Sequence, residues 1–309
     1  MPRTIAESSF ISGSSRRFLV GVVLLQMLAA SIPVYAETLA EPFNRPVLTA
    51  TEPVNTDLAS QTMQPDRITG EYVKGYFTDT GRMLASPVKW SGCDWLKAGL
   101  VVGATSGLIF ADADIRDIAR RNQSSIGDKA ATIGNDLGNP LYTLPPLGLF
   151  YLYGHFNDDP KARRTSLLAV ESLAVSGVFT WTIKVTAQRP RPFTGASPGI
   201  WNGPGTGLGD YSFPSGHSTA AFSIASVIAE EYGTNPYVPP IAYGLASLTG
   251  LARIYSDKHW ASDVFLGGAI GYFAGKAVVR YHTLQGNTPL KILPTVSQEG
   301  FGLMAEYRF

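Results

Sequence analysis

Arg253-Ile254-Tyr255-Ser256-Asp257-Lys258-His259-Trp260-Ala261-Ser262-Asp263 joins two apolar runs, 239–254 and 261–281, and the composition of each run predicts a helix. At this joint a cation closes one helix, while an imidazole and a carboxylate stand at the start of the next. His259 and Asp263 are four apart, the spacing at which helical side chains share a face and touch. A carboxylate bonded to one ring nitrogen fixes the tautomer and raises the basicity of the other nitrogen, which makes an imidazole a competent nucleophile. A purely structural His–Asp pair would have the same spacing.

Upstream, Pro214-Ser215-Gly216-His217 opens a further helix over 217–231. Free backbone N–H groups at a helix start bind anions, and Gly216 lets the backbone approach without a side chain in the way. Ser215 serves as a cap or as a donor to an anion, and His217 stands in the first turn. Before it, a helix over 164–186 carries Lys184 at its carboxyl end and stops at Arg189-Pro190-Arg191-Pro192. Proline biases the preceding residue away from helical angles, so Arg191 leaves the helix extended. Arg189 reads as a solvated basic end that complements the helix dipole. Two more helices are read near 95–112 and 141–155. Asp112 and Asp114 read as a solvated turn, and the Gly- and Pro-rich stretch 190–211 as a loop able to fold over a site.

In their order and spacing, residues from Lys184 to Asp263 resemble the type 2 phosphatidic acid phosphatase superfamily. That superfamily also includes bacterial class A acid phosphatases and vanadium haloperoxidases, and the resemblance covers about 95–282. It implies an all-α fold, a six-helix bundle with the active site at helix ends and in loops, and a phosphohistidine intermediate. Carried over, His259 is the expected nucleophile, Asp263 its orienting partner and His217 the general acid. Lys184, Arg191 and Arg253 are the expected phosphate ligands, with Ser215 and Gly216 completing the cradle. One departure is Ala252, where the family usually has serine; a hydrogen bond worth about 1 kcal/mol is lost there. Three fixed cations substitute for a metal ion, so the expected hydrolysis needs no cofactor. The sequence offers no dedicated metal cage.

The rest of the chain bounds the setting. Residues 1–36 read as a signal peptide, with Arg16 and Arg17, the apolar run Phe18–Ala30 and a small-residue site ending at Ala36. The Pro-rich stretch 37–68 reads as a disordered linker, and 69–94 as an aromatic segment packing on the core. The tail 283–309 suggests a short β-hairpin, with 290–297 pairing 300–309. Net charge is only +1 over 309 residues, which gives no reason to expect a nucleic-acid partner. The lone Cys93 excludes an intrachain disulfide and reads as a buried thiol, while His155 and His282 read as structural.

With 45% hydrophobic and 16% charged residues the chain is more apolar than most soluble enzymes, yet its mean hydropathy is only +0.05. A membrane-embedded bundle and an exported peripheral one both remain open. The expected substrates are phosphate monoesters or diphosphates of lipids, acted on in the cell envelope. The alternatives are an exported acid phosphatase for soluble esters, a vanadium haloperoxidase and a non-catalytic lipid-binding protein.

Overall fold

The computed structural model describes residues 66–205, 209, 211–286, 290–297 and 300–307; the signal-peptide reading and nearly all of the linker reading lie outside them. Among the described residues, eight α-helices run in chain order. They are α1 Gly70–Ala85, α2 Gly92–Arg121, α3 Ser125–Leu137, α4 Pro140–Phe156, α5 Pro160–Ala187, α6 Gly216–Glu231, α7 Val238–Tyr255 and α8 Ala261–Gly286. Two strands follow, β1 Leu290–Ser297 and β2 Gly300–Tyr307, paired antiparallel with Leu290 opposite Tyr307 and Ser297 opposite Gly300. The fold is predominantly α-helical.

Local chemistry sets the helix starts. Ser91 and Asp94 form a reciprocal capping box at α2, and Ser124 accepts from the Gly127 N–H at α3. Asn139 caps α4, and Asp159 accepts from both Lys161 and Ala162 at α5, each ahead of a proline in the first turn. Ser124 is the signal that separates α3, a helix absent from the sequence reading; α2 also runs past its expected end to Arg121.

The core forms where α6 lies between α5, α7 and α8. Leu168, Val175, Val227 and Val278 pack in one cluster, and Phe222, Ala225, Tyr243 and Ala246 in a second. Helix α8 approaches α6 unusually closely. A Cβ added at Gly267 would lie 2.4 Å from the Ser215 carbonyl oxygen, and one at Gly271 2.3 Å from that of Thr219. Small residues let backbones meet this way. Here the close approach fixes the start of α6 against the start of α8, and those two starts carry the residues of interest.

Many large apolar side chains face outward: Leu100 and Phe110 on α2, Leu149 and Phe156 on α4, Trp181 on α5 and Ile241 on α7. Among the described residues, two stretches, Gly92–Arg121 and Pro160–Thr194, are long and apolar enough to cross a membrane. Cys93 is exposed rather than buried, because it stands in the first turn of α2 beyond the packed core.

Candidate active site

Chain direction brings the chemistry to one end of the bundle. Helices α5 and α7 finish where α6 and α8 begin, so Lys184, Arg253, His217 and Asp263 gather from four helix ends. Arg191 adopts an extended conformation (φ −76°, ψ 153°) before a short 3-10 turn, Pro192–Thr194. Ser215 is extended and caps α6 by accepting from Ser218 N–H at 3.3 Å. A Cβ at Gly216 would meet nothing within 4 Å, so the start of α6 opens onto free space.

The imidazoles share one electrostatic environment. His217 is pushed down from its ordinary 6.5 to about 4, first by burial and then by Arg253, Arg191 and Lys184. His259, almost wholly buried, is held well below its ordinary value by burial and then by Lys184, Arg191, Arg253 and His217. The same three cations act on both rings, so all five groups lie within electrostatic reach of one another. Both imidazoles are neutral at pH 7, and the surplus positive charge there favours an anion.

This arrangement has a thermodynamic consequence. An unfolded chain protonates these rings near 6.5, whereas the folded chain resists protonation until about 4 at His217. Between those values the unfolded state binds more protons, so the stability these rings contribute is fully present above 6.5 and is lost as pH falls toward 4. Thermal unfolding from pH 7.5 to 4.5 should show Tm falling with acidity, and more shallowly in His217→Asn.

The His–Asp relationship differs from direct contact. His259 precedes α8 instead of sitting within it, and its Nδ1 lies 3.6 Å from Asp263 Oδ2, beyond hydrogen-bond length. Ser212 stands between them: its Oγ is 3.4 Å from His259 Nδ1 and donates to Asp263 Oδ2. Asp263 Oδ2 also accepts from the Trp260 N–H at 2.8 Å, so one carboxylate caps α8 and faces the ring.

Beneath this pair lies a buried ionic network that the sequence reading assigns to solvent. Arg189 is fully buried; it donates to Asp263 Oδ1 and to Asp112 Oδ2, each at 2.7 Å. It also donates to Ser262 Oγ and to the Pro198 carbonyl, and its guanidinium lies over the Trp201 and Trp260 rings. Asp112, buried on α2, also accepts from the Ser262 N–H and hydroxyl. The readings of Arg189 as a solvated helix end and Asp112 as a solvated turn are therefore corrected. Each satisfies the other in the interior.

The cations are themselves positioned. Lys184 Nζ donates to the Tyr211 carbonyl at 2.8 Å, and Arg253 Nη1 donates to Asn135 Oδ1 at 2.8 Å. Asn135, on the unanticipated α3, also donates to Ser256 Oγ, tying α3 to the turn before His259. Beside Gly216 an apolar cavity of about 330 Å³ opens between α4, α5 and α6, lined by Leu144, Val170, Leu173, Ala174 and Ala220 among others.

Comparison with known proteins finds one family match and several similar proteins. Residues 165–286 match the model of the PAP2 superfamily. A 66-residue segment is 44% identical to lipid A 1-phosphatase of Porphyromonas gingivalis; the match spans 21% of this chain and 15% of that protein's length. Two solved structures are also similar. The LpxE protein of Aquifex aeolicus has a TM-score of 0.45 and 22% identity, over 55% of this chain and 96% of its own. A transmembrane PAP2-type phosphatidylglycerolphosphate phosphatase of Bacillus subtilis has a TM-score of 0.47 and 21% identity, over 62% and 94%.

Proposed function

We propose that this chain, whose residues 165–286 match the PAP2 superfamily model, is a phosphatase that removes phosphate from lipid monoesters or diphosphates. What supports the reading is that Lys184, Arg191 and Arg253 all bear electrostatically on His217 and His259, beside an open helix start at Gly216. A transferring phosphoryl group spreads charge over its equatorial oxygens, so fixed cations and N–H groups do most of the stabilising.

Each residue then has a role in a balanced sequence of steps. His259 Nδ1 is turned toward Ser212 and Asp263, so Nε2, across the ring, attacks phosphorus. The N–P bond forms as the P–O bond to the leaving alcohol breaks, and His217 gives its proton to the departing oxygen. Water then attacks the phosphohistidine, returning a proton to His217 as the N–P bond breaks. Asp263, held by Arg189 and Ser212, orients the nucleophile. Ser215 and Gly216 supply the backbone start that faces the phosphate. His217 is neutral in the empty site; a bound phosphate offsets the three cations and raises its pKa, which supplies the acid when it is needed.

The lipid preference rests on the apolar cavity beside Gly216 and on the outward-facing apolar side chains. Together with the Arg16–Ala36 leader pattern, they support an exported, membrane-associated enzyme. The test is release of inorganic phosphate from a panel of lipid and soluble phosphoesters, with and without detergent. Turnover of the lipid esters is expected to dominate. Equal rates on soluble esters without detergent would instead favour a general acid phosphatase.

The acid role makes a separate prediction. His217→Ala should slow esters with poor leaving groups by about 10²- to 10⁴-fold, yet spare aryl esters with good ones. Equal loss on both classes would remove His217 from that role.

A further inference from the structure

A second polar cluster lies in the opposite half of the bundle. Asp79 of α1, Glu171 of α5 and His282 of α8 are all buried, and one ligand-type atom from each lies within 4.8 Å of the others. His282 Nε2 is 2.8 Å from Glu171 Oε2 and 3.3 Å from Asp79 Oδ2. Glu171 precedes Lys184 by thirteen residues on one helix, a separation of about 20 Å from the phosphate cradle.

Hydrogen bonding within the protein leaves this cluster incomplete. A ring nitrogen carries at most one proton, and here it faces two carboxylates. Asp79 Oδ2, Glu171 Oε1 and the Tyr72 hydroxyl are buried without a hydrogen bond of ordinary geometry, although the hydroxyl faces Glu171 and Tyr76 and the two carboxyl groups face each other. Tyr72 is itself buried; its ring lies 5.8 Å from that of His282, and its hydroxyl is within electrostatic reach of Glu171. Buried polar atoms rarely go without partners. Glu171 also lies within a stretch apolar enough to cross a membrane, a setting in which a buried ionisable side chain needs a partner.

We propose that Asp79, Glu171 and His282 bind a divalent transition-metal ion, Zn²⁺ by ligand type, which ties α1 to α5 and α8. One imidazole and two carboxylates are an ordinary ligand set for this ion. With metal–ligand bonds of about 2.0–2.1 Å, a tetrahedral site has ligand–ligand edges of about 3.3 Å, close to the separations present here. A cation at the shared vertex would meet His282 Nε2, Asp79 Oδ2 and one Glu171 carboxylate oxygen together, and the Tyr72 oxygen or a water would complete four-coordination. Two carboxylates balance its charge, and His282 ligates through Nε2. Arg82, half exposed, pairs with Asp79 through the other oxygen, Oδ1, at 3.0 Å and stays outside the ligand set. The ion is structural, far from the reacting phosphate, and distinct from the cradle that replaces a metal there.

The experiment measures zinc content and thermal unfolding of the purified full chain, before and after dialysis against a chelator, with ZnCl₂ and MnCl₂ as probes. Stoichiometric zinc is expected. Its removal should lower Tm by about 5 °C or more, and Zn²⁺ should restore it. The near-isosteric Glu171→Gln should weaken Zn²⁺ binding at least about tenfold while remaining folded. His259→Ala should keep the full metal response, which separates this site from the catalytic histidines. Absence of zinc together with no Tm response to either ion would overturn the proposal, as would a response that Glu171→Gln leaves unchanged.

Discussion

Replacing His259 by alanine should lower phosphate release by at least about 10³-fold on every substrate, because no neighbouring group can take over as nucleophile. Ser212, whose hydroxyl lies beside the ring, has its Oγ committed to Asp263, and His217 has the proposed role of acid to the leaving group. His259 lies in the turn ahead of α8, so its loss removes no helical hydrogen bond, and the α8 cap from Asp263 to Trp260 persists. Tm should therefore change by only a few degrees while turnover disappears. Acid-labile, base-stable phosphoryl label should accumulate on the wild-type chain during turnover and be absent from His259→Ala. Label that survives in the variant, or variant activity above one-tenth of wild type, would place the nucleophile elsewhere.

What the sequence carries and what it hides can be argued from this same site. Lys184, Arg191, Ser215, His217, Arg253, His259 and Asp263 are visible because each sits at a helix end, where local signals mark position: proline after Arg191, a Ser-Gly start at 215–216, an apolar run after Asp263. Helix faces and starts are short-range properties, so the α-helical class and most boundaries are legible. Burial is long-range and is not. Arg189 and Asp112 look like solvated charges within their own segments, and their pairing spans 77 positions. A usable signal did exist: Asp112 follows fourteen uncharged residues, and an acid adjoining such a run needs a partner. Ser212 and Asn135 carry no local mark at all. His282 reads as an isolated histidine because its companions, Asp79 and Glu171, come from helices far away in the chain. The close approach of α8 to α6 was written in the four-residue spacing of Gly267, Gly271 and Gly275, a pattern of packing rather than of chemistry.

Arg189→Ala should be the most damaging substitution outside the groups that touch phosphate. Arg189, Asp112 and Asp263 are each fully or almost fully buried, and removing the cation strands two carboxylates in the interior. Breaking a buried pair from one side costs about 3–5 kcal/mol, a large share of the stability of a typical domain. Arg189→Lys should recover only part of this. An ammonium is a point charge, and it cannot reproduce the fork that spans Asp112, Asp263 and the Pro198 carbonyl while lying between two indole rings. The lysine variant should fold with a lower Tm and turn over more slowly, since Asp263 loses the partner that aims it at His259. Asp112→Asn supplies the control. It removes one stranded charge, so combined with Arg189→Lys it should cost less than the sum of the two single losses. Thermal unfolding of the four chains measures that coupling. Additivity within about 0.5 kcal/mol would mean that Arg189 and Asp112 do not act as a unit, and that the nucleophile is held by the Ser212–Asp263 contact alone.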